Sequence, residues 1–226
     1  MSRIAVVVAN PTVGAELGHL GEWLLDNDFE VRRLVRDDIL DIDAADEADL
    51  LIVLGSEWTL ARTMDSDEDP PQAAAAIAAE IDLVRRRIDR DRPMLGICFG
   101  AQLLSRALGG EVTRQAAPHI AWESPDTDIE ALRAPWVLLH NDAFTVPPGA
   151  DVLAEADHAP MAFRYGRAWG VQFHPEVDEG ILRQMFADVG TPDETATAQV
   201  DALRARAEQQ RWDSLRLFDT FWAEVS

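Results

Sequence analysis

The 226-residue sequence contains no lysine, because all 20 of its basic residues are arginine, and these stand against 41 aspartates and glutamates. The missing lysine excludes a standard phosphate-binding loop of the Walker A type, which requires one. The formal net charge of −21 argues against nucleic acid as a ligand, since phosphate backbones are bound by clustered basic side chains. We therefore expect no nucleic-acid partner.

Cysteine and long apolar runs are also scarce. The one cysteine excludes an internal disulfide framework, and no apolar run approaches the roughly 20 residues that span a bilayer. Residues 3–8 are predicted to form a buried strand rather than a targeting segment, so we expect a cytoplasmic protein without membrane contact. No cofactor is expected, and no metal, because the acidic loop at 65–69 lacks the glycine and distal glutamate of a calcium loop.

Strands and helices are predicted to alternate along most of the chain. The strands fall at 3–8, 29–35, 50–54 and 93–97, and the helices at 17–25 and 73–89. This alternation indicates one α/β domain with a mostly parallel sheet flanked by helices on both faces. Later strands follow one another closely, which favours some antiparallel pairing; they are predicted at 136–140, 144–146, 152–157, 161–165 and 168–173, with Trp122 and Glu123 in a loop.

The last part of the chain is predicted to be helical. Thr191 begins a capping-box pattern with Pro192 at the first helical position, and this helix is expected to run to about Gln210. A second helix carries an apolar stripe made of Leu215, Phe218, Phe221, Trp222 and Val225. We divide the chain into a domain at 1–190 and a C-terminal helical extension at 191–226 packed on it, with docking of a partner as the alternative role of the stripe.

Cys98 lies in the run Gly96-Ile97-Cys98-Phe99-Gly100, between a predicted strand and a predicted helix that ends at Gly109. A Gly-x-nucleophile-x-Gly turn between strand and helix is the pattern of a nucleophile elbow. The positive end of the following helix favours the thiolate form. A buried core cysteine is the alternative, but the two flanking glycines favour a nucleophile.

A cysteine nucleophile needs a base and a group that orients the base. Of the five histidines, His174 has a carboxylate two residues on, in the run Phe173-His174-Pro175-Glu176. Residues i and i+2 of an extended chain point to the same side, so His174 and Glu176 are predicted to lie side by side.

Gly-Ile-Cys-Phe-Gly-Ala-Gln at 96–102 and Gly-Val-Gln-Phe-His-Pro-Glu at 170–176 together resemble the class I, or triad-type, glutamine amidotransferases. The likeness is strongest to the amidotransferase domain of GMP synthase and its free-standing relatives, and it covers roughly residues 3–189. It implies a flavodoxin-like α/β fold of that family, to which this chain adds the C-terminal helical extension.

The resemblance also implies residue roles. The implied catalytic residues are Cys98 as nucleophile, His174 as base and Glu176 as its orienter. The implied oxyanion donors are the backbone amides of Gly55 and Phe99. The implied substrate contacts are Gln102, Asp142 and His140.

The activity implied is hydrolysis of the glutamine side-chain amide through a cysteinyl γ-glutamyl thioester, with ammonia as product. GMP synthases carry a Ser-Gly-Gly pyrophosphatase loop on another domain, which is not found in this sequence. The expected partners are therefore glutamine and a separate, ammonia-accepting synthetase subunit.

Two departures from the family pattern leave alternatives open. Ser56-Glu57-Trp58 follows Gly55 where many relatives carry glycine and proline, and Asn141 replaces a glycine between His140 and Asp142. The first change puts the substrate in question, so a hydrolase or transferase of γ-glutamyl conjugates stays open. A non-catalytic regulatory relative is disfavoured, because Cys98, His174 and Glu176 are all present.

Overall fold

The computed structural model of the protein describes residues 3–11, 16–36, 42–61 and 73–226. The acidic loop predicted at 65–69 lies outside these ranges. The strands of the described part are β1 Arg3–Ala9, β2 Phe29–Val35, β3 Leu50–Val53, β4 Met94–Ile97, β5 Val112–Glu123, β6 Trp136–Phe144, β7 Asp151–Ala156, β8 Ala159–Tyr165 and β9 Ala168–Val171. The helices are α1 Gly18–Asp26, α2 Ile42–Glu47, α3 Ala73–Asp89, α4 Phe99–Ala107, α5 Glu179–Asp188, α6 Asp193–Arg204 and α7 Ala207–Val225, with a 3₁₀ turn at Glu130–Leu132.

A seven-stranded sheet in the order β2-β1-β3-β4-β9-β8-β7 forms the centre of the fold. The pairs from β2 across to β9 are parallel, whereas β8 pairs antiparallel with both β9 and β7. Strands β5 and β6 form a separate antiparallel pair. The predicted α/β fold with a mostly parallel sheet is therefore confirmed, and so is the antiparallel pairing among the later strands.

The alternation of side chains along β1 separates two cores. Ala5 and Val7 pack on one face with residues of α1 and α7. Val6 and Val8 pack on the opposite face with residues of α3 and α4. All four side chains are at most 2% exposed, as expected for a parallel strand covered on both faces. A third cluster joins α5 and α6 to β6.

The C-terminal helices differ in detail from the prediction. Helix α6 begins at Asp193 after Pro192, which has no side-chain cap hydrogen bond, so the predicted capping box at Thr191 is wrong. The break between the helices falls at 205–206 instead of after Gln210. The α7 stripe joins the core around Trp23 of α1. The domain boundary at residue 190 stays a prediction.

Two other local predictions are corrected. Trp122 and Glu123 end strand β5 rather than lying in a loop, because β5 pairs with β6 as far as Glu123↔Trp136. The strand predicted at 144–146 does not form separately, since β6 continues to Phe144. Within the described ranges, no helix is both long and apolar enough to cross a bilayer.

Candidate active site

Cys98 lies in the sharp turn between β4 and α4. Its backbone has φ 52° and ψ −105°, an unfavourable conformation for a residue with a side chain. The flanking glycines make the turn possible: a Cβ at Gly96 would lie 2.5 Å from the backbone of Gly100, and a Cβ at Gly100 would lie 2.0 Å from the carbonyl oxygen of Val53. The turn therefore has the strained strand-to-helix geometry of a nucleophile elbow.

His174 follows β9 and lies beside Glu176. The Nδ1 atom of His174 is 2.7 Å from Oε1 of Glu176, and both side chains are buried. Because a carboxylate only accepts hydrogen bonds, Nδ1–H is the donor, which leaves Nε2 as the ring's second nitrogen for a reacting group. The backbone holds the loop on both sides, since His174 N–H donates to the Val137 carbonyl and the Glu176 carbonyl accepts from His19 N–H.

The surroundings of His174 favour its charged form. Burial is the largest influence and lowers the pKa, but the carboxylate of Glu176 and the sulfur of Cys98 outweigh it and raise the pKa of His174 well above its usual value. An imidazole that readily holds a proton beside a cysteine is suited to stabilising a thiolate.

Gly55 follows β3 and adjoins both of these side chains. A Cβ at position 55 would lie 3.1 Å from Cε1 of His174 and 3.7 Å from Cβ of Cys98, so only glycine fits without pressing on the imidazole. Phe99 begins α4 directly after Cys98. The structure thus places the residues predicted as oxyanion donors in the turn that carries Cys98 and in the loop facing it.

A cleft of about 330 Å³ opens over Cys98. Its wall includes all three residues predicted to contact the substrate, which are Gln102, His140 and Asp142. The turn with the unusual sequence, Ser56-Glu57-Trp58, forms another part of the wall, and Val189 to Pro192 form a third. The volume suits a ligand of amino-acid size.

Buried hydrogen bonds connect the predicted substrate contacts. Gln102 Nε2 donates to the Asp142 backbone carbonyl at 2.9 Å, and the same carbonyl lies 2.9 Å from Nδ1 of His140. Burial, with a smaller influence from the imidazole of His119, lowers the pKa of His140 to about 4. His140 is therefore neutral near pH 7 with its proton on Nδ1, and Nε2 is an acceptor that has no partner among the described residues.

Two residues that the sequence analysis missed hold the carboxylate of Asp142. Thr59 Oγ1 donates to Oδ2 at 2.6 Å, and Nε of Arg114 lies 3.2 Å from Oδ1. Arg114 also lines the cleft. The cleft therefore offers both a carboxylate and a guanidinium, the charges that complement a free amino acid.

The structure also shows a cluster of potential metal ligands near the cleft. His119, Glu123 and His158 bring one ligand atom each to within 4.8 Å of one another. Nε2 of His119 is 2.7 Å from Oε1 of Glu123, within hydrogen-bond distance, and the centre of the His158 ring lies 4.6 Å from the centre of the His119 ring.

Comparison with known proteins agrees with the geometry. GMP synthase (glutamine-hydrolysing) of Aeropyrum pernix is 42% identical over 120 residues, covering 45% of this chain and 23% of that protein. The enzyme of the same name from Thermus thermophilus is 43% identical over 96 residues, covering 38% and 19%. The matched part of the chain thus spans about a quarter or less of these relatives.

Solved structures with the same fold are similar over nearly the whole chain. A glutamine amidotransferase from Thermotoga maritima superposes with a TM-score of 0.78 at 19% identity, covering 98% of both chains. A glutamine amidotransferase from Methylobacillus flagellatus gives a TM-score of 0.73 at 22% identity, covering 100% of this chain and 96% of that one. The family model described as glutamine amidotransferase class-I matches residues 69–188, just over half of the sequence. The chain belongs to the class-I glutamine amidotransferase family.

Proposed function

We propose that the protein hydrolyses the side-chain amide of glutamine with Cys98 as nucleophile, His174 as base and Glu176 as the group that orients the base. The observation that carries the proposal is the strained turn at Cys98 beside the buried His174–Glu176 pair. Backbone strain of this kind is retained where the surrounding structure and the chemistry require it.

The proposed reaction has two steps. The thiolate of Cys98 attacks the γ-carbonyl carbon, and the tetrahedral oxyanion accepts hydrogen bonds from the amides of Gly55 and Phe99. The C–N bond then breaks as Nε2–H of His174 protonates the leaving nitrogen, which releases ammonia and leaves a γ-glutamyl thioester. In the second step His174 takes a proton from water, which attacks the thioester and releases glutamate and the thiol.

The substrate's α-amino and α-carboxylate groups are proposed to bind on the opposite side of the cleft. Asp142 and the neutral Nε2 of His140 are acceptors for an ammonium group. Arg114 provides a cation in the same wall for the carboxylate. Gln102 supports this wall by holding the Asp142 backbone.

The released ammonia is proposed to serve an ammonia-accepting synthetase partner. The matched relatives are named GMP synthases and are several times longer than the matched segment, which supports such a pairing for this chain. A cytoplasmic location stays a prediction, and so does the division of the chain that makes 191–226 an extension of the domain at 1–190.

A hydrolase of γ-glutamyl conjugates is the second candidate. It is favoured by Glu57, whose exposed side chain lines the cleft in the turn that departs from the family pattern. A carboxylate there would suit a substrate whose leaving group is a cationic amine.

A substrate panel separates the two candidates. Purified protein is incubated with glutamine and with γ-glutamyl amines, and ammonia, amine and glutamate are quantified. We expect slow release of ammonia from glutamine and a kcat/KM that favours glutamine, with faster turnover once the acceptor synthetase is added. Rapid turnover of a γ-glutamyl amine, with glutamine a poor substrate, would decide for the conjugate hydrolase.

A further inference from the structure

A fully buried arginine lies directly behind the proposed oxyanion loop. Arg36 follows β2, and its side chain is 0% exposed, as is that of its ion-pair partner Glu80 on α3. Nε of Arg36 donates to Oε1 of Glu80 at 2.7 Å. Desolvating two charges is costly, and a packed apolar pair at the same place is often equally stable. Stability alone therefore does not explain why an ion pair is buried at this place.

The guanidinium holds the backbone of the loop through two carbonyl groups. One terminal nitrogen of Arg36 donates to the Leu54 carbonyl at 3.1 Å, and the other donates to the Gly55 carbonyl at 3.2 Å. The second nitrogen also donates to Oδ1 of Asn10, a buried side chain that bonds the next turn at Ser56. The forked geometry of arginine suits several simultaneous acceptors.

The bond to Leu54 bears on the Gly55 amide because the two groups share one peptide unit. The unit is planar and trans, so its C=O and N–H point in opposite directions. Fixing the Leu54 oxygen toward Arg36 therefore aims the Gly55 N–H away from it. A cationic donor on the carbonyl also polarises the peptide and strengthens its N–H as a donor.

The same guanidinium contacts the residue that carries the other proposed donor. The Arg36 carbon Cζ lies 4.7 Å from the centre of the Phe99 ring, within the range of a cation–π interaction. One buried cation thus contacts both the loop at Leu54–Gly55 and Phe99, the first residue of α4.

We propose that Arg36, held by Glu80, is a positioning residue for the oxyanion hole: it orients and polarises the Gly55 amide and fixes the Phe99 side chain below the nucleophile. This inference rests on the proposed function, since it assigns Arg36 to the transition state of that reaction. It predicts that losing Arg36 lowers kcat, because the residues proposed to hold glutamine in the ground state are others: Asp142, His140 and Arg114.

Arg87 offers a matched control. It is also 0% exposed, and it also donates to backbone carbonyls, those of Asp46, Ala48 and Pro93. Arg87 is not part of the cleft wall around Cys98. If buried arginines here only stabilise the fold, Arg36 and Arg87 variants should behave alike.

The test compares three proteins with the wild type. The first is the double variant Arg36→Met with Glu80→Leu, which replaces the ion pair by apolar groups and leaves no unpaired buried charge. The second is Arg36→Lys, which keeps the charge and loses the fork. The third is Arg87→Met. Melting temperature, kcat and KM for glutamine, and the rate at which iodoacetamide alkylates Cys98 are measured for each. Alkylation reports the thiolate without needing an oxyanion hole.

We expect kcat to fall about 10- to 100-fold in both Arg36 variants, less than the loss of a whole oxyanion donor. KM and the alkylation rate should stay within about twofold. Arg87→Met should lower the melting temperature and keep kcat. If the double variant does not fold, Arg36→Lys is judged by the same criteria.

Two results overturn the inference in distinguishable ways. An active wild type whose Arg36 variants keep kcat, or lose the same fraction of kcat and alkylation rate, would refute the role of Arg36 alone. A wild type that hydrolyses neither glutamine nor γ-glutamyl amines would refute the proposed function and this inference with it.

Discussion

The elbow at 96–100 and the turn at 54–59 face each other across Cys98, yet they are built differently. The elbow is fixed by its own residues: two glycines permit the backbone approach, and α4 starts at the next residue. The turn is fixed from a distance, by Asn10, Arg36 and Asp142. The proposed nucleophile is therefore positioned by neighbours in the chain, whereas the proposed oxyanion donor Gly55 and the wall beyond it are positioned by residues from other strands.

The largest effect is expected from substitutions at His174, next to Cys98, and at Glu176. His174→Ala should lower kcat/KM about 10⁴-fold or more, because base and acid are both lost, whereas Glu176→Gln should cost less, since it removes only orientation and charge compensation. Ammonia release under saturating and limiting glutamine measures both. His158→Asn serves as the control, because His158 lies half-exposed outside the cleft. A larger loss in His158→Asn than in His174→Ala would contradict the assignment.

The next largest effect concerns His140 in the wall of the cleft and is expected in the free energy of unfolding. The pKa of His140 is about 4 in the folded protein and about 6.5 when unfolded, so the unfolded state takes up the proton first. The contribution of neutral His140 to the free energy of unfolding is therefore complete above pH 6.5 and is lost as the pH falls toward 4.

Urea unfolding at pH 7.5 and pH 4.5 measures this loss. Replacing His140 by Asn should reduce the drop in unfolding free energy between the two conditions by about 2 to 3 kcal/mol. An identical drop in wild type and variant would show that His140 is not held neutral by burial.

A smaller effect is expected at Thr59, in the turn at 54–59. Thr59→Val removes the hydroxyl that donates to Oδ2 of Asp142 while keeping the side chain's shape. The carboxylate should then be less well positioned, so KM for glutamine should rise about 5- to 30-fold, equivalent to about 1 to 2 kcal/mol, with kcat little changed. Steady-state kinetics of glutamine hydrolysis measures both constants. A drop in kcat at constant KM would contradict a role of Thr59 in substrate binding.

The sequence allowed prediction of those parts of the fold and site that depend on neighbours in the chain. Strand β2 and helix α3 were predicted with the observed bounds. In α3 the apolar residues at 77, 81, 84 and 88 recur at helical spacing. The sharp turn at Cys98 and the contact between His174 and Glu176 could also be predicted, because the two flanking glycines and the two-residue spacing are visible in the sequence. Their catalytic roles stay predictions.

The parts of the fold and site that were not predicted depend mainly on which strands become neighbours in the sheet. Asn10 follows the buried strand β1, and Arg36 follows β2, which pairs in parallel with β1. The carboxyl ends of parallel strands are where α/β proteins build sites. That signal was present, but only the strand order brings these residues behind Gly55. Strand β5 was missed because, among the described strands, it pairs with β6 alone and has mostly exposed or half-buried residues. The capping box at Thr191 failed because Pro192 itself became the cap.

The proposed mechanism requires a covalent bond between Cys98 and the γ-carbon of the substrate. Covalent labelling with a γ-glutamyl diazoketone analogue, located by peptide mass spectrometry, reports whether Cys98 is the reacting residue. We expect one adduct, on Cys98, which glutamine suppresses and which is absent from a folded Cys98→Ala variant that releases no ammonia. An adduct on another residue, or ammonia release by Cys98→Ala at the wild-type rate, would contradict it.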